Sequence, residues 1–246
     1  MPIYITYLIQ ILLVIHVLKT GRSRYWIWLL LFLPLIGGVA YLVIEMLPEL
    51  SGSIGGQRAL RGAKTIINPG ADLRHHAAAW QQSPNADNAR RYAGALLADD
   101  QYTEAEEILD QAQSGFFSTE PNLMLLRAQV RFKAGDATGA VSVLEQLQEA
   151  NPGFRSAEGH LLYARALESV GNSEKALEEY SSVANYYPGA EARYRMALAL
   201  KNAGNVQESR TEFEQMINEA DLAPRHFQKS QAQWLRLAKT AMKEFD

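Results

Sequence analysis

One stretch of this chain is written twice. LRAQVRFKAGDATGAVSVLEQLQEANP, from Leu126 to Pro152, returns as YARALESVGNSEKALEEYSSVANYYP, from Tyr163 to Pro188. Gly135-Asp136 aligns with Gly171-Asn172, Ala140 with Ala176, Leu144 with Tyr180 and Pro152 with Pro188. The period of about 36 residues lies within the range of helical repeats. Each copy holds two apolar-periodic segments of about 12 to 14 residues, long enough for helices. Gly-Asp or Gly-Asn between them tolerates the left-handed conformation that ends a helix. Small residues recur where two helices must approach closely: Ala128 and Ala164 in the first helices, Ala140 and Ala176 in the second. A proline then closes each copy, because it cannot continue the helix. One such pair cannot bury its apolar face alone, so about three or more copies must stack.

Weaker copies extend both ways. Upstream, Ala93, Asp100, Tyr102, Ala105, Leu109 and Ala112 fit, with Asp100 in the glycine position; downstream, Ala197, Gly204-Asn205, Phe213 and Met216 fit, with Ser209 replacing the expected alanine. The landmarks fall at 100, 135, 171 and 204, in steps of 35, 36 and 33. From Asp87 to Leu222 the chain resembles the tetratricopeptide repeat (TPR) family, in a divergent form that lacks the first-helix tryptophan and, in most units, the usual glycine. The resemblance implies an all-α superhelix. Its repeats are expected at about 86–120, 121–156, 157–189 and 190–222, within a domain spanning 71–246. Asp72 to Gln82 reads as a helix covering the outer face of the first repeat, as a stacked array needs. A final helix from Pro224 to about Phe245 would cap the far end (224–246). Its stripe of Phe227, Trp234, Ala238, Ala241 and Phe245 reads either as a packing face or as an aromatic partner site.

Ahead of the repeats, Ile3 to Leu18 is interrupted only by Thr6, Gln10 and His16, and Trp26 to Leu47 only by Pro34, Gly37, Gly38 and Glu45. As helices these runs would span about 24 and 33 Å, against a hydrocarbon core of about 30 Å. They are expected to form a two-helix transmembrane hairpin over 1–48, turned by Lys19, Arg22 and Arg24. Arg22-Ser-Arg24, Trp26, Trp28, Leu33-Pro34-Leu-Ile-Gly37 and Tyr41-Leu42 resemble the N-terminal membrane hairpin of phospholipase D-type proteins and cardiolipin synthases. The H-x-K signature of those enzymes is missing: His226 is followed by Lys229, three residues on. The positive-inside rule favours repeats outside the cytoplasm, in a bacterium the periplasm beside an inner membrane, with Arg58, Arg61 and Lys64 pulling the other way. SGSIGG (51–56) lies within a linker over 49–70, where Gln57 to Ile67 is either an amphipathic helix on anionic headgroups or a solvated linker.

Chemistry is sparse in this sequence. There is no cysteine, which excludes a disulfide framework and a thiol nucleophile. A net charge of −3 argues against a nucleic-acid binder. His75 and His76 are adjacent, so on a helix they point about 100° apart and do not share a metal easily. His160 sits where a first helix packs on its partner and reads as structural. Gly52-Ser-Ile-Gly55-Gly56 lacks the Lys-Ser/Thr of a phosphate loop. No catalytic, cofactor or metal residues are assigned, and an enzyme is not expected.

What remains is a surface. The TPR resemblance implies a concave groove lined by the first helices, whose solvent-facing positions contact peptides. In this register they include Arg90, Leu125, Gln129, Phe132, Lys133, Leu161, Arg165, Glu168, Tyr194, Leu198 and Lys201. This mix suits an extended or helical peptide carrying some acidic groups. The expectation is a membrane-anchored adaptor that recruits a protein partner, as in assembly of an envelope complex, with membrane lipids around the hairpin. Groove residues could equally make a homo-oligomer. The competing reading is a non-catalytic accessory protein of phospholipid metabolism acting through the hairpin.

Overall fold

Asp100, Gly135, Gly171 and Gly204 all adopt positive φ, at 57°, 89°, 83° and 87°. These are the four landmarks of the repeat, and each ends a first helix in the same way. Gln101 N donates to Leu96 O, Asp136 N to Arg131 O, Asn172 N to Leu167 O and Asn205 N to Leu200 O, all at 2.9 Å. These six-to-one bonds satisfy carbonyls that the helix end would otherwise leave bare. Asp136 and Asn172 then start the second helix, their side chains accepting from Gly139 N (2.8 Å) and Lys175 N (3.4 Å). A two-residue motif thus stops one helix and starts the next.

The computed structural model describes residues 2–20, 25–32, 41, 70–114 and 118–245. Among them all regular structure is α-helical, in thirteen helices. The chain divides into two units, Met1–Ala71 and Asp72–Asp246. The first holds α1 (Pro2–Thr20) and α2 (Tyr25–Phe32). The second opens with α3 (Ala71–Gln82), which begins at the boundary. Four helix pairs follow: α4 (Ala86–Ala98) with α5 (Tyr102–Gln113), α6 (Pro121–Lys133) with α7 (Ala137–Ala150), α8 (Ala157–Ser169) with α9 (Ser173–Ala184), and α10 (Ala190–Asn202) with α11 (Val206–Leu222). The chain then forms α12 (Arg225–Ser230) and α13 (Ala232–Met242).

Packing repeats with the period. Ala93, Ala128, Ala164, Ala197 and Ala238 on the first helices and on α13 are fully buried, as are Ala105, Ala140, Ala176 and Ser209 on the second helices. A larger side chain at any of these would push two helix axes apart. Ser209 keeps the alanine-sized slot because its hydroxyl donates to Ala197 O at 2.7 Å. The core is a series of like clusters, each joining one pair to the next first helix. Leu96, Leu109 and Leu123 join α4 and α5 to α6. Met124, Leu144 and Leu162 join α6 and α7 to α8. Leu161, Tyr180 and Ala192 join α8 and α9 to α10. Ala197, Phe213 and Ala238 join α10 and α11 to α13.

Two expectations change. The single final helix is broken at Gln231, which lies between α12 and α13. The break frees the Gln231 side chain to accept from Ala190 N at 3.0 Å, capping α10, whose N-cap Gly189 has no side chain for the task. The expected transmembrane pair is not carried by the described helices, none of which is long and apolar enough to cross a membrane. α1 carries Gln10, His16 and Lys19, and α2 is 8 residues long. Most of the 26–47 run, the basic turn at Arg22 and Arg24, and the linker up to residue 69 lie outside the described residues.

Candidate interaction groove

The first helices place a row of alternating aromatic and charged side chains along one face of the repeats. On α6, the Phe132 ring lies 5.0 Å from the Arg165 guanidinium of α8. Arg165 reaches Glu191 of α10 at 3.6 Å. Glu191 also holds Arg195, one helical turn on, at 2.8 Å. Arg195 turns back to Glu168 of α8 at 3.9 Å and lies 5.4 Å from the Trp234 ring of α13. Glu168 in turn accepts the Tyr180 hydroxyl of α9 at 2.7 Å. Burial first, and then the Glu168 carboxylate, push the Tyr180 phenol well above its usual range, so this donor stays protonated.

Arg165 is the cation of this row without a short ion pair among the described residues, since Arg195 also holds Glu191 at 2.8 Å. Its ion pair is longer than a hydrogen bond, and its buried Nε has no hydrogen-bond partner among the described residues. An unsatisfied buried donor costs about 1–3 kcal/mol. By contrast Arg131 holds Glu106 at 2.8 Å, and Arg193 holds Glu219 at 2.6 Å.

Phe132, Arg165 and Glu168, expected as groove residues, come together in this row. Gln129 and Leu198 are half-buried and Lys133 is exposed. Leu125 packs beside Gly159, where a Cβ would come within 3.1 Å of its Cδ1. Tyr194 and Lys201 belong to a second cluster formed with the C-terminal end. Tyr194 meets Trp234 and Phe213 at ring separations of 5.5 and 5.8 Å. Lys201 lies 5.4 Å from the Phe245 ring and pairs with Glu244. Arg90 is exposed on α4 and bonded to Asp87 at 2.8 Å, away from both clusters. Leu161 is a correction: it is 4% exposed, inside the α8–α9–α10 core, and does not line a solvent-facing groove.

The sequence reading missed Glu191, Arg195 and the C-terminal Glu244. Glu191 and Arg195 are four residues apart at the start of α10, a spacing that marks an ion pair on one helix face. His160 is partly buried, its Nε2 2.6 Å from Glu179 and its Nδ1 bonded to the Tyr186 hydroxyl. Among the described residues no group of three or more His, Cys, Asp or Glu is placed to hold a metal ion.

Comparison with known proteins agrees with this geometry. A tetratricopeptide repeat family model matches residues 131–201, and a second matches 191–221. Residues 131–221 are tetratricopeptide repeats. The α4–α5 pair lies outside the matched stretch but carries the same left-handed landmark and buried alanines as the repeats. No curated protein matches the chain. Among solved structures it is similar to MamA at 17% identity and a TM-score of 0.54, covering 69% of this chain and 95% of that one. It is also similar to YrrB, described as a TPR protein with an unusual peptide-binding site, at 19% identity and a TM-score of 0.52, covering 86% and 91%. A thermophilic TPR protein of Thermus thermophilus matches at 17% identity and a TM-score of 0.51, covering 73% and 98%. At these identities the likeness is one of fold.

Proposed function

We propose that the repeats are a non-catalytic scaffold that holds a peptide segment of a protein partner along the first-helix face. The observation that carries this is Arg165, a partly exposed cation stacked on Phe132 whose one ion pair among the described residues is long, at 3.6 Å. An acidic or carbonyl group of a ligand can take the guanidinium from Glu191 at small cost, because little is lost there. Phe132 supplies apolar area beside it, and the next residue, Lys133, is an exposed second cation. Peptide recognition on a helical face combines such an apolar anchor with a few placed polar groups. The peptide-binding character of YrrB supports the same reading by analogy of fold.

In-cell photo-crosslinking tests it. A photoreactive residue at Phe132 is expected to give one dominant heterologous adduct that disappears with R165E. The same residue at Glu178, exposed on α9, is expected to give none. Equal adducts from both positions would overturn the assignment.

A second proposal concerns the first unit. Its described helices bury an apolar cluster of Leu13, Val17, Trp26, Leu30 and Tyr41 and present apolar side chains on the outside as well. Ile11, Leu12, Ile15, Leu18, Trp28, Leu31 and Phe32 are each more than half exposed. Two polar side chains turn inward, while Lys19 stays exposed: Gln10 donates to Leu30 O, and His16 Nδ1 lies 2.9 Å from the Tyr41 hydroxyl. That arrangement suits an apolar solvent, where polar side chains face the bundle interior. Together with the apolar run to Leu47, it supports a membrane anchor that confines the scaffold near its partner. Resistance of the full chain to alkaline carbonate extraction is the expected result. Release into the soluble fraction would contradict it.

A further inference from the structure

Charge is segregated along the repeats in a way the groove does not use. From Asp99 to Gln113, α5 and the turn before it carry Asp99, Asp100, Glu104, Glu106, Glu107 and Asp110, with no Lys or Arg. From Arg225 to Lys243, α12 and α13 carry Arg225, Lys229, Arg236, Lys239 and Lys243, with no Asp or Glu. An α5 segment at −6 and a C-terminal segment at +5 therefore sit on a chain whose net charge is only −3. Within the molecule these charges are largely unspent. Among the described residues Arg225, Lys229, Arg236 and Lys243 make no ion pair, and Lys239 only one at 3.7 Å to Asp221, both side chains more than half exposed. On the acidic side, Glu106 and Asp110 are held by Arg127 and Arg131, but exposed Asp99, Glu104 and Glu107 make no ion pair among the described residues.

On each segment exposed charges share a helix edge. Arg236, Lys239 and Lys243 stand at i, i+3 and i+7 on α13 and the residue after it, which aligns them along one helix edge. Glu104 and Glu107 stand at i and i+3 on α5, with Gln111 at i+7. α13 also occupies the place of a first helix. A continuing array would lay an apolar helix against it, yet the exposed face offers cations around Leu237, 38% exposed. That face suits a charged helix better than the apolar face of a further repeat.

We propose that this C-terminal basic face docks on the acidic α5 face of a second copy of the chain, giving a head-to-tail, salt-sensitive association. The interface is heterologous, so it leaves one free acidic and one free basic face and can continue into short chains. It is independent of the peptide scaffold proposed above, since it uses none of the Phe132–Arg165 row. A second copy is favoured over other acidic partners because the complementary, largely unpaired charge is on this same chain. At about 0.02 M salt the Debye length exceeds about 20 Å and the two faces attract; at about 0.5 M it is under about 5 Å and the attraction is screened.

The chain has no cysteine, so the test can be a disulfide between two singly substituted full-length chains in neutral detergent. Mixing E107C with K239C at about 0.02 M salt is expected to give a crosslinked dimer at least about tenfold more abundant than either variant gives alone, and to lose it at about 0.5 M. R236E/K243E introduced into the K239C chain is expected to abolish the crosslink. Adding E104K to the E107C partner is expected to restore it with that reversed chain. A dominant 239–239 or 107–107 product, an unscreened crosslink, or failure of the charge swap would each overturn the proposal. All substituted side chains are exposed, and recovery on charge swap separates lost docking from lost folding.

Discussion

Gly171 has φ +83° with open space around a built Cβ, so the backbone alone decides what can stand there. A non-glycine residue in the left-handed region costs about 1 kcal/mol or more. G171A is therefore expected to lower unfolding stability by about 1 kcal/mol with an unchanged m-value, read from urea denaturation. Tyr180 gives a prediction in pH. Its phenol is held above the ordinary value of about 10, so the folded chain keeps a proton that the unfolded chain releases first. Its contribution is complete below pH of about 10 and is lost as pH rises further. The pKa values of Tyr163, Tyr186 and Tyr187, also raised by burial first, act in the same direction. Thermal stability is expected to fall above pH of about 10. Y180F should flatten that fall, at a loss of about 1 kcal/mol at neutral pH from the missing bond to Glu168. Equal alkaline slopes in the two proteins would contradict the assignment.

At the scale of elements, the helix pairs were legible because their stops and starts are local chemistry. Gly-Asp, Gly-Asn and even Asp100 announce a left-handed cap whatever lies around them. Depth was not legible. Leu125, Leu161 and Tyr194 share one angular position on successive first helices, yet Leu161 is buried at 4% while the other two are partly exposed. Periodicity gives the direction a side chain takes; the neighbouring helix decides how far it is covered. The break at Gln231 was hidden for a related reason. It answers a missing cap 41 residues earlier, at Ala190, and no local signal points there. Q231A is expected to cost about 1 kcal/mol through that cap. Removing residues 224–246 would strip Ala238 and Ala241 from the α10–α11 core. A marked drop in melting temperature and aggregation of the truncated chain should follow, by calorimetry and light scattering.

For the whole molecule, two kinds of contact are proposed, on different parts of the array. The first-helix face carries an aromatic–cation row, proposed to hold a peptide, and α5 and the C-terminal helices carry opposite charge. The candidate row was legible only in outline. Phe132, Arg165 and Glu168 were placed by register, whereas the pairings that leave Arg165 loosely held depend on Glu191 and Arg195, brought in by the next repeat. The most direct measurement is of affinity at that row. Peptides selected by display against the full chain are titrated, at about 0.15 M salt, against wild type, F132A, R165E and E178K. Each groove variant is expected to weaken binding about tenfold or more, equivalent to about 1.4 kcal/mol, while E178K stays within about twofold. Peptides that bind F132A and R165E as tightly as wild type would contradict the account.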